Sequence, residues 1–119
     1  MKILIVDDSA VMRNMIKRAL AAGGIEAETI EAADGADGLA KATDDLDIIL
    51  CDWNMPNMTG LEFVRQFRVN NEDVPILMVT TESHFSKHVE AKNAGANNLL
   101  RKPFTPEQLA EEIQTLIPT

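Results

Sequence analysis

Short apolar runs alternate with helical patterns five times along this chain, and that alternation restricts its fold more than any other feature. The clearest run is Ile48-Ile49-Leu50-Cys51, four apolar residues between charged and turn-forming segments. Such a run is typical of a strand buried on both faces, as in a parallel sheet covered by helices. The predicted strands are residues 3–6, 25–31, 48–52, 74–80 and 98–101. The sequence therefore predicts an α/β fold with a doubly wound, five-stranded parallel sheet.

Capping residues mark where the helices begin. Ser9 and Asp34 suit the N-cap position, and Thr105-Pro106-Glu107-Gln108 offers a cap, a proline at the first helical position and a capping-box partner. The predicted helices cover about residues 10–22, 35–43, 60–69, 83–94 and 106–117. We expect the first helix to present one apolar face, formed by Met12, Met15, Ile16, Ala19 and Leu20.

Length and composition limit the class of protein. The 119 residues suit one domain over residues 1–119, and no apolar run approaches the roughly 20 residues that span a bilayer. The formal net charge of −8 argues against nucleic acid as a partner, because phosphate contacts need clustered lysine and arginine. The single cysteine cannot form an internal disulfide, which favours a reducing cytoplasm. We expect a cytoplasmic monomer that binds neither membrane nor nucleic acid.

Acidic residues follow two of the predicted strands. Asp7 and Asp8 end the first strand, and Asp52 ends the third. In open α/β sheets, ligands bind at the carboxyl ends of the strands, and clustered carboxylates at such an edge suit Mg²⁺. Taken alone, Asp7 and Asp8 would be interpreted only as residues that end a strand before a helix. The repetition of polar residues at other strand ends makes that plain interpretation weaker here.

Thr80 ends the fourth predicted strand, and Lys102 follows the fifth. A phosphoryl group attacked by a carboxylate carries spread-out negative charge, which a metal, an ammonium and a hydroxyl can stabilise. The pattern therefore predicts Asp52 as a phosphate acceptor with Thr80 and Lys102 beside it. A strand-terminal threonine or a lysine before proline has no such meaning by itself, so the inference depends on the whole set.

Four segments carry a resemblance to a known family: Val6-Asp7-Asp8-Ser9, residues 52–60, Met78-Val79-Thr80 and Lys102-Pro103-Phe104. With them the whole chain resembles the receiver domains of response regulators, and in particular the CheY-like single-domain chemotaxis regulators. The resemblance implies a flavodoxin-like fold with strand order 2-1-3-4-5. It also implies a cis peptide between Lys102 and Pro103.

The resemblance assigns a role to each matching position. Asp52 corresponds to the phosphoacceptor, Thr80 to the switch hydroxyl and Lys102 to the lysine that contacts the phosphoryl group. Asp8 and Asp52 correspond to direct Mg²⁺ ligands. Two further ligands are implied: Asp7 acting through water, and the backbone carbonyl of Asn54.

The implied partners are a CheA-like histidine kinase and a downstream protein target, of which the flagellar motor switch is one candidate. No effector domain is expected after the last helix. Leu99 departs from the pattern, because CheY-like proteins often carry an aromatic residue there, and this puts the motor-binding output in question. Asn54 and Glu82 lie at positions that tune the lifetime of the phosphoryl group in the family.

Other functions stay open as alternatives: a phosphorelay intermediate, a receiver-like scaffold that is not phosphorylated, an aspartyl phosphatase and a flavin-binding protein. The phosphatase is disfavoured because the acids after the first strand are adjacent rather than separated by one residue. Flavin binding is disfavoured because acids replace a phosphate-cradling hydroxyl loop. Three residues with possible chemistry have plainer interpretations: His84 and His88 as solvated helix residues, and Cys51 as core packing. Trp53 is expected to pack partly on its loop.

Overall fold

The computed structural model of the chain describes residues 1–81 and 85–117 and contains five strands that alternate with five helices. The strands are β1 (Lys2–Val6), β2 (Glu28–Ala32), β3 (Ile48–Cys51), β4 (Ile76–Thr80) and β5 (Asn98–Arg101). The helices are α1 (Ala10–Ala22), α2 (Gly35–Lys41), α3 (Gly60–Arg68), α4 (Phe85–Ala94) and α5 (Pro106–Leu116). No helix in the described part of the chain has the length and apolar content needed to cross a bilayer.

All strand pairs are parallel, and the sheet order is β2-β1-β3-β4-β5. This confirms the predicted doubly wound, flavodoxin-like α/β fold. Successive residues of the central strands point to opposite faces of the sheet. On one face Ile5, Leu50 and Leu77 pack with residues of α1 and α5. On the other face Val6, Cys51 and Met78 join a second core with residues of α3 and α4.

Capping residues begin the helices where the sequence predicts them. Ser9 accepts a hydrogen bond from Met12 N, and Asp34 accepts one from Asp37 N. Thr105 and Gln108 form the predicted capping box, and Thr59 forms a second one with Glu62. The Lys102–Pro103 peptide is cis, as the family resemblance implies.

Several predicted boundaries are wrong where hydrogen bonding, rather than apolar content, decides the end of a strand or helix. The second strand begins at Glu28 instead of residue 25, because Ile25 N donates to Leu20 O and so continues the end of α1. The fourth begins at Ile76 instead of residue 74, because Val74 N donates to the Asn71 side chain. The α2 helix ends at Lys41 rather than residue 43, since Ala42 is extended.

Side-chain burial on α1 differs from the predicted apolar face at one position. Met15 is exposed, although the sequence predicts it on the apolar face of α1. On α3, Phe63 is fully buried in the core that this helix shares with the sheet. Its ring lies against Gly38, where a Cβ atom would come within 2.9 Å of the Phe63 Cε1 atom. The glycine that weakens α2 by propensity therefore allows that helix to approach α3 closely.

Candidate functional site

The carboxyl edge of the sheet brings together the three predicted acids. Asp7 and Asp8 follow β1, Asp52 follows β3, and these strands are neighbours in the sheet. Each of the three carboxylates offers an oxygen, and these oxygens lie within 4.8 Å of one another. Asp7 is buried, Asp52 is half-buried and Asp8 is exposed. The cluster is therefore fixed in the protein at one side and open to solvent at the other.

Lys102 joins the cluster from the far end of the chain. Its ammonium group donates to Asp7 Oδ2 and to Asp52 Oδ1, each at 3.3 Å. Its side chain is 12% exposed, and its backbone N–H donates to Thr80 O at 2.7 Å. One cation thus lies between two carboxylates, which leaves the group of four side chains with a net negative charge.

The Asp52 carboxylate is held by its own loop as well as by Lys102. Trp53 N donates to Asp52 Oδ1 at 2.9 Å. Burial raises the pKa of Asp52 above its ordinary value, the Lys102 ammonium opposes that rise and the Asp7 carboxylate adds to it. Ionised Asp52 is therefore a desolvated carboxylate that a further cation would stabilise.

Close packing of the backbone sets the position of Asp52. Its N–H donates to Val6 O at 2.9 Å, which continues the pairing of β3 with β1 for one residue beyond the strand. Gly60, the first residue of α3, lies against it, and a Cβ atom there would come within 2.2 Å of Asp52 O. Gly60 N also donates to Trp53 O at 2.8 Å. The loop between Asp52 and α3 therefore needs a glycine where it closes.

Arg13 is a residue near the site that the sequence analysis missed. Its guanidinium donates to Asp7 O at 2.7 Å and to Glu31 Oε1 at 2.9 Å. Glu31 lies on β2, an edge strand of the sheet, and also pairs with Lys17 at 3.0 Å. No local signal marks this contact, because it depends on α1 and β2 lying side by side.

The other residues that the sequence singles out differ in their burial. Thr80 is fully buried at the end of β4. Asn54 is an exposed loop residue two positions after Asp52, and ligation by its carbonyl stays a prediction. Leu99 is buried on β5 within the core that faces α3 and α4. Glu82 and His84 lie outside the described residues, so their assigned roles stay untested.

The residues on either side of Asp52 in the chain, Cys51 and Trp53, are both buried. Trp53 is 5% exposed and packs in the core, deeper than the partial packing that was expected. The Lys87 ammonium of α4 lies 5.2 Å from the centre of its ring, in cation–π geometry. Cys51 is fully buried, and burial raises the pKa of its thiol well above the ordinary value. Core packing is confirmed for Cys51, and a reactive thiolate is disfavoured.

The donor atoms at this edge suit a hard divalent cation. Carboxylate oxygens are the ligands that Mg²⁺ prefers, and Mg²⁺ uses one or two carboxylates while keeping several waters. The exposed side of the cluster at Asp8 leaves room for such waters. These residues therefore fit a magnesium ion, and the Lys102 ammonium beside them can contact an anionic group bound at the same place.

Comparison with known sequences gives matches over almost the whole chain. The family model for the response regulator receiver domain matches residues 3–114. Chemotaxis protein CheY1 of Helicobacter pylori is 41% identical over 123 aligned positions, which cover all of this chain and 98% of that protein. Chemotaxis protein CheY of Pseudomonas aeruginosa is 41% identical over 119 positions, which cover 98% of this chain and 95% of that protein.

Solved structures share the same architecture. The chemotaxis response regulator CheY4 of Vibrio cholerae matches with a TM-score of 0.84 and 46% identity, covering 97% of each chain. A response regulator receiver domain protein from Clostridium thermocellum matches with a TM-score of 0.86 at 26% identity, covering 98% of this chain and 93% of that one. The fold is thus similar even where most residues differ.

Proposed function

The chain belongs to the response regulator receiver domain family, and on that premise we propose that it is a signalling switch that accepts a phosphoryl group on Asp52. The observation that carries the proposal is the position of the Lys102 ammonium, 3.3 Å from both Asp7 and Asp52 within the acidic cluster at the carboxyl edge of the sheet. This arrangement offers a nucleophilic oxygen and a cation in one place. We also propose that residues 1–119 form one receiver domain.

The reaction is the transfer of a phosphoryl group from a phosphohistidine of a histidine kinase. A carboxylate oxygen of Asp52 attacks phosphorus, the P–N bond breaks, and the imidazole nitrogen keeps the electron pair and takes up a proton. The phosphorylated form is then hydrolysed: water attacks phosphorus, the Asp52 carboxylate leaves and inorganic phosphate is released. The chain contributes mainly the positions and charges around the transferred group.

Each group of the site has a proposed role in that transfer. Trp53 N–H orients the Asp52 carboxylate, and the Lys102 ammonium is close enough to contact a phosphoryl oxygen after transfer. Thr80, at the end of the neighbouring strand, is the hydroxyl assigned to the bound phosphoryl group. A Mg²⁺ ion held by Asp8 and Asp52, with Asp7 through water and the Asn54 carbonyl, would neutralise charge on the carboxylates and the phosphoryl oxygens.

The names of the curated relatives support a role in chemotaxis. We propose a CheA-like histidine kinase as the phosphoryl donor, and a protein target that binds the phosphorylated form. The surface formed by α4, β5 and α5 is the proposed output. Leu99 is buried and has no ring or hydroxyl, so this chain cannot signal through an aromatic side chain at that position. The motor switch therefore stays one candidate target among others.

The test is the intact mass of the protein after a short incubation with acetyl phosphate and Mg²⁺. We expect one added phosphoryl group in the wild type, and none with EDTA or in Asp52→Asn. Asp45→Asn is the matched control, because Asp45 is exposed and pairs with Lys2 away from the cluster. It should be labelled like the wild type.

An unlabelled wild type, even at short times, would contradict the proposal and favour the scaffold alternative. Labelling of Asp52→Asn would contradict the assigned acceptor. Repeated hydrolysis of a small phosphate ester would favour the aspartyl phosphatase instead.

A further inference from the structure

Arg13 holds the backbone of the turn that carries two of the three clustered acids. Its guanidinium donates from Nη1 to Asp7 O at 2.7 Å and from Nε to Glu31 Oε1 at 2.9 Å. Its side chain is 16% exposed, so the contact is largely shielded from solvent. Arginine suits this position because its planar group presents several donors in a fixed geometry, whereas lysine offers one point charge.

The turn from Asp7 to Ser9 is held from several directions. Asp7 N donates to Ala32 O of β2 at 3.1 Å, and Ser9 N donates to the Asp7 carboxylate at 2.9 Å. The Arg13 contact holds Asp7 O, the carbonyl oxygen of the peptide group that joins Asp7 to Asp8. Asp8 itself is exposed. The direction of its carboxylate therefore depends on how firmly the turn before it is fixed.

We propose that Arg13 is a positioning residue for the metal ligands, because it links the Asp7–Asp8 turn to Glu31 on β2. This inference rests on the proposed function, since it needs a cation at the acidic cluster. Arg13 does not touch the cation and acts through the Asp7 backbone. Residues that orient metal ligands in this way commonly change metal affinity or activity about 10- to 100-fold when they are replaced.

Charge alone predicts the opposite effect of replacing Arg13. A guanidinium beside Asp7 repels a bound cation, so its removal should by itself tighten cation binding. If Arg13 positions the ligands, its removal should weaken binding in spite of the lost repulsion. The direction of the change in Mg²⁺ affinity therefore separates a positioning role from a purely electrostatic one.

The experiment is calorimetric titration of Mg²⁺ into the wild type, Arg13→Met, Arg13→Lys and Lys17→Met. Methionine keeps much of the apolar stem of the replaced side chain. Lys17 is the matched control, because it pairs with the same Glu31 and carries the same charge, but its ammonium donates to Glu31 rather than to Asp7 O. Unfolding midpoints in urea with EDTA are measured for every variant, and titrations are made well below the unfolding transition.

We expect Mg²⁺ affinity about tenfold weaker in Arg13→Met. Arg13→Lys should be intermediate, because one ammonium cannot reproduce the fork between Asp7 O and Glu31. Lys17→Met should bind within about twofold of the wild type or more tightly. Equal or tighter binding in a folded Arg13→Met, with normal binding in the wild type, would overturn the inference and leave the proposed function intact. A wild type that binds no Mg²⁺ would overturn both.

Discussion

Replacing Lys102 by methionine removes the ammonium group that lies 3.3 Å from both Asp7 and Asp52 while keeping most of the volume of the side chain. Without a divalent ion, the folded protein must then hold the two carboxylates side by side without that counter-charge. We expect Lys102→Met to lower the free energy of unfolding in EDTA at neutral pH. Switching that depends on the phosphoryl group should also be impaired, because the bound group loses its cationic contact.

The size of the loss follows from the geometry. Opposite unit charges 3.3 Å apart attract by about 5 kcal/mol at an effective dielectric constant of about 20. The desolvation of Lys102, Asp7 and Asp52, which are 12%, 3% and 12% exposed, offsets a large part of that attraction. Deleting one partner of a buried pair costs about 3–5 kcal/mol. Because the cluster is open to water at Asp8, we expect about 2–3 kcal/mol.

The free energy of unfolding lost in Lys102→Met should depend on pH. Burial already raises the pKa of Asp52, and loss of the Lys102 ammonium raises it further. A carboxyl group whose pKa is higher in the folded state destabilises that state above the folded pKa, and this penalty disappears as the pH falls below the unfolded pKa. The difference between the variant and the wild type should therefore be largest at neutral pH and shrink on acidification.

The assay is urea unfolding in EDTA at about pH 7 and about pH 4.5. Lys41→Met is the control, because Lys41 pairs with Asp37 on the exposed surface, where an ion pair contributes about 0–1 kcal/mol. Equal losses in the two variants at neutral pH would refute the reasoning. So would a loss in Lys102→Met that is as large in acid as at neutral pH.

Three further changes test the same site. Mg²⁺ at about 100 times its Kd should raise the free energy of unfolding by about 2.7 kcal/mol, and an unchanged melting temperature would count against a cation site. Asp52→Asn should stabilise the protein in EDTA at neutral pH, because it removes a carboxylate whose pKa is raised by burial, and urea unfolding should show this gain vanish in acid. Gly60→Ala should destabilise the protein by about 1–3 kcal/mol and slow phosphoryl labelling, because the added Cβ atom would come within 2.2 Å of Asp52 O. Unfolding and labelling as in the wild type would contradict the close packing of Gly60 on Asp52.

The sequence predicts the architecture well because apolar content decides where most strands run. Residues 48–51 are buried without exception, as expected of a central parallel strand. Boundaries are less predictable where a local hydrogen bond replaces strand pairing. At Val74 the partner is the Asn71 side chain, and at Ile25 it is the end of α1. Neither contact follows from hydrophobic periodicity.

The candidate site also contains residues that the sequence predicts and contacts that it does not. Asp7, Asp8, Asp52 and Lys102 were predictable because parallel strands deliver their last residues to one edge of a sheet. The contacts that surround them were not, because each depends on packing between elements. Arg13 needs β2 beside α1, and the approach of Lys87 to Trp53 needs α4 beside the Asp52 loop.

Lys102 follows the last strand, and its partner Asp7 follows the first, 95 residues earlier in the chain. During synthesis the acids of the cluster emerge long before the ammonium that lies among them. A chain that has not yet added β5 to the sheet therefore holds the proposed acceptor without its cationic partner. The proposed phosphoryl transfer therefore needs the last strand in place, and a partly folded chain would not react with a phosphoryl donor.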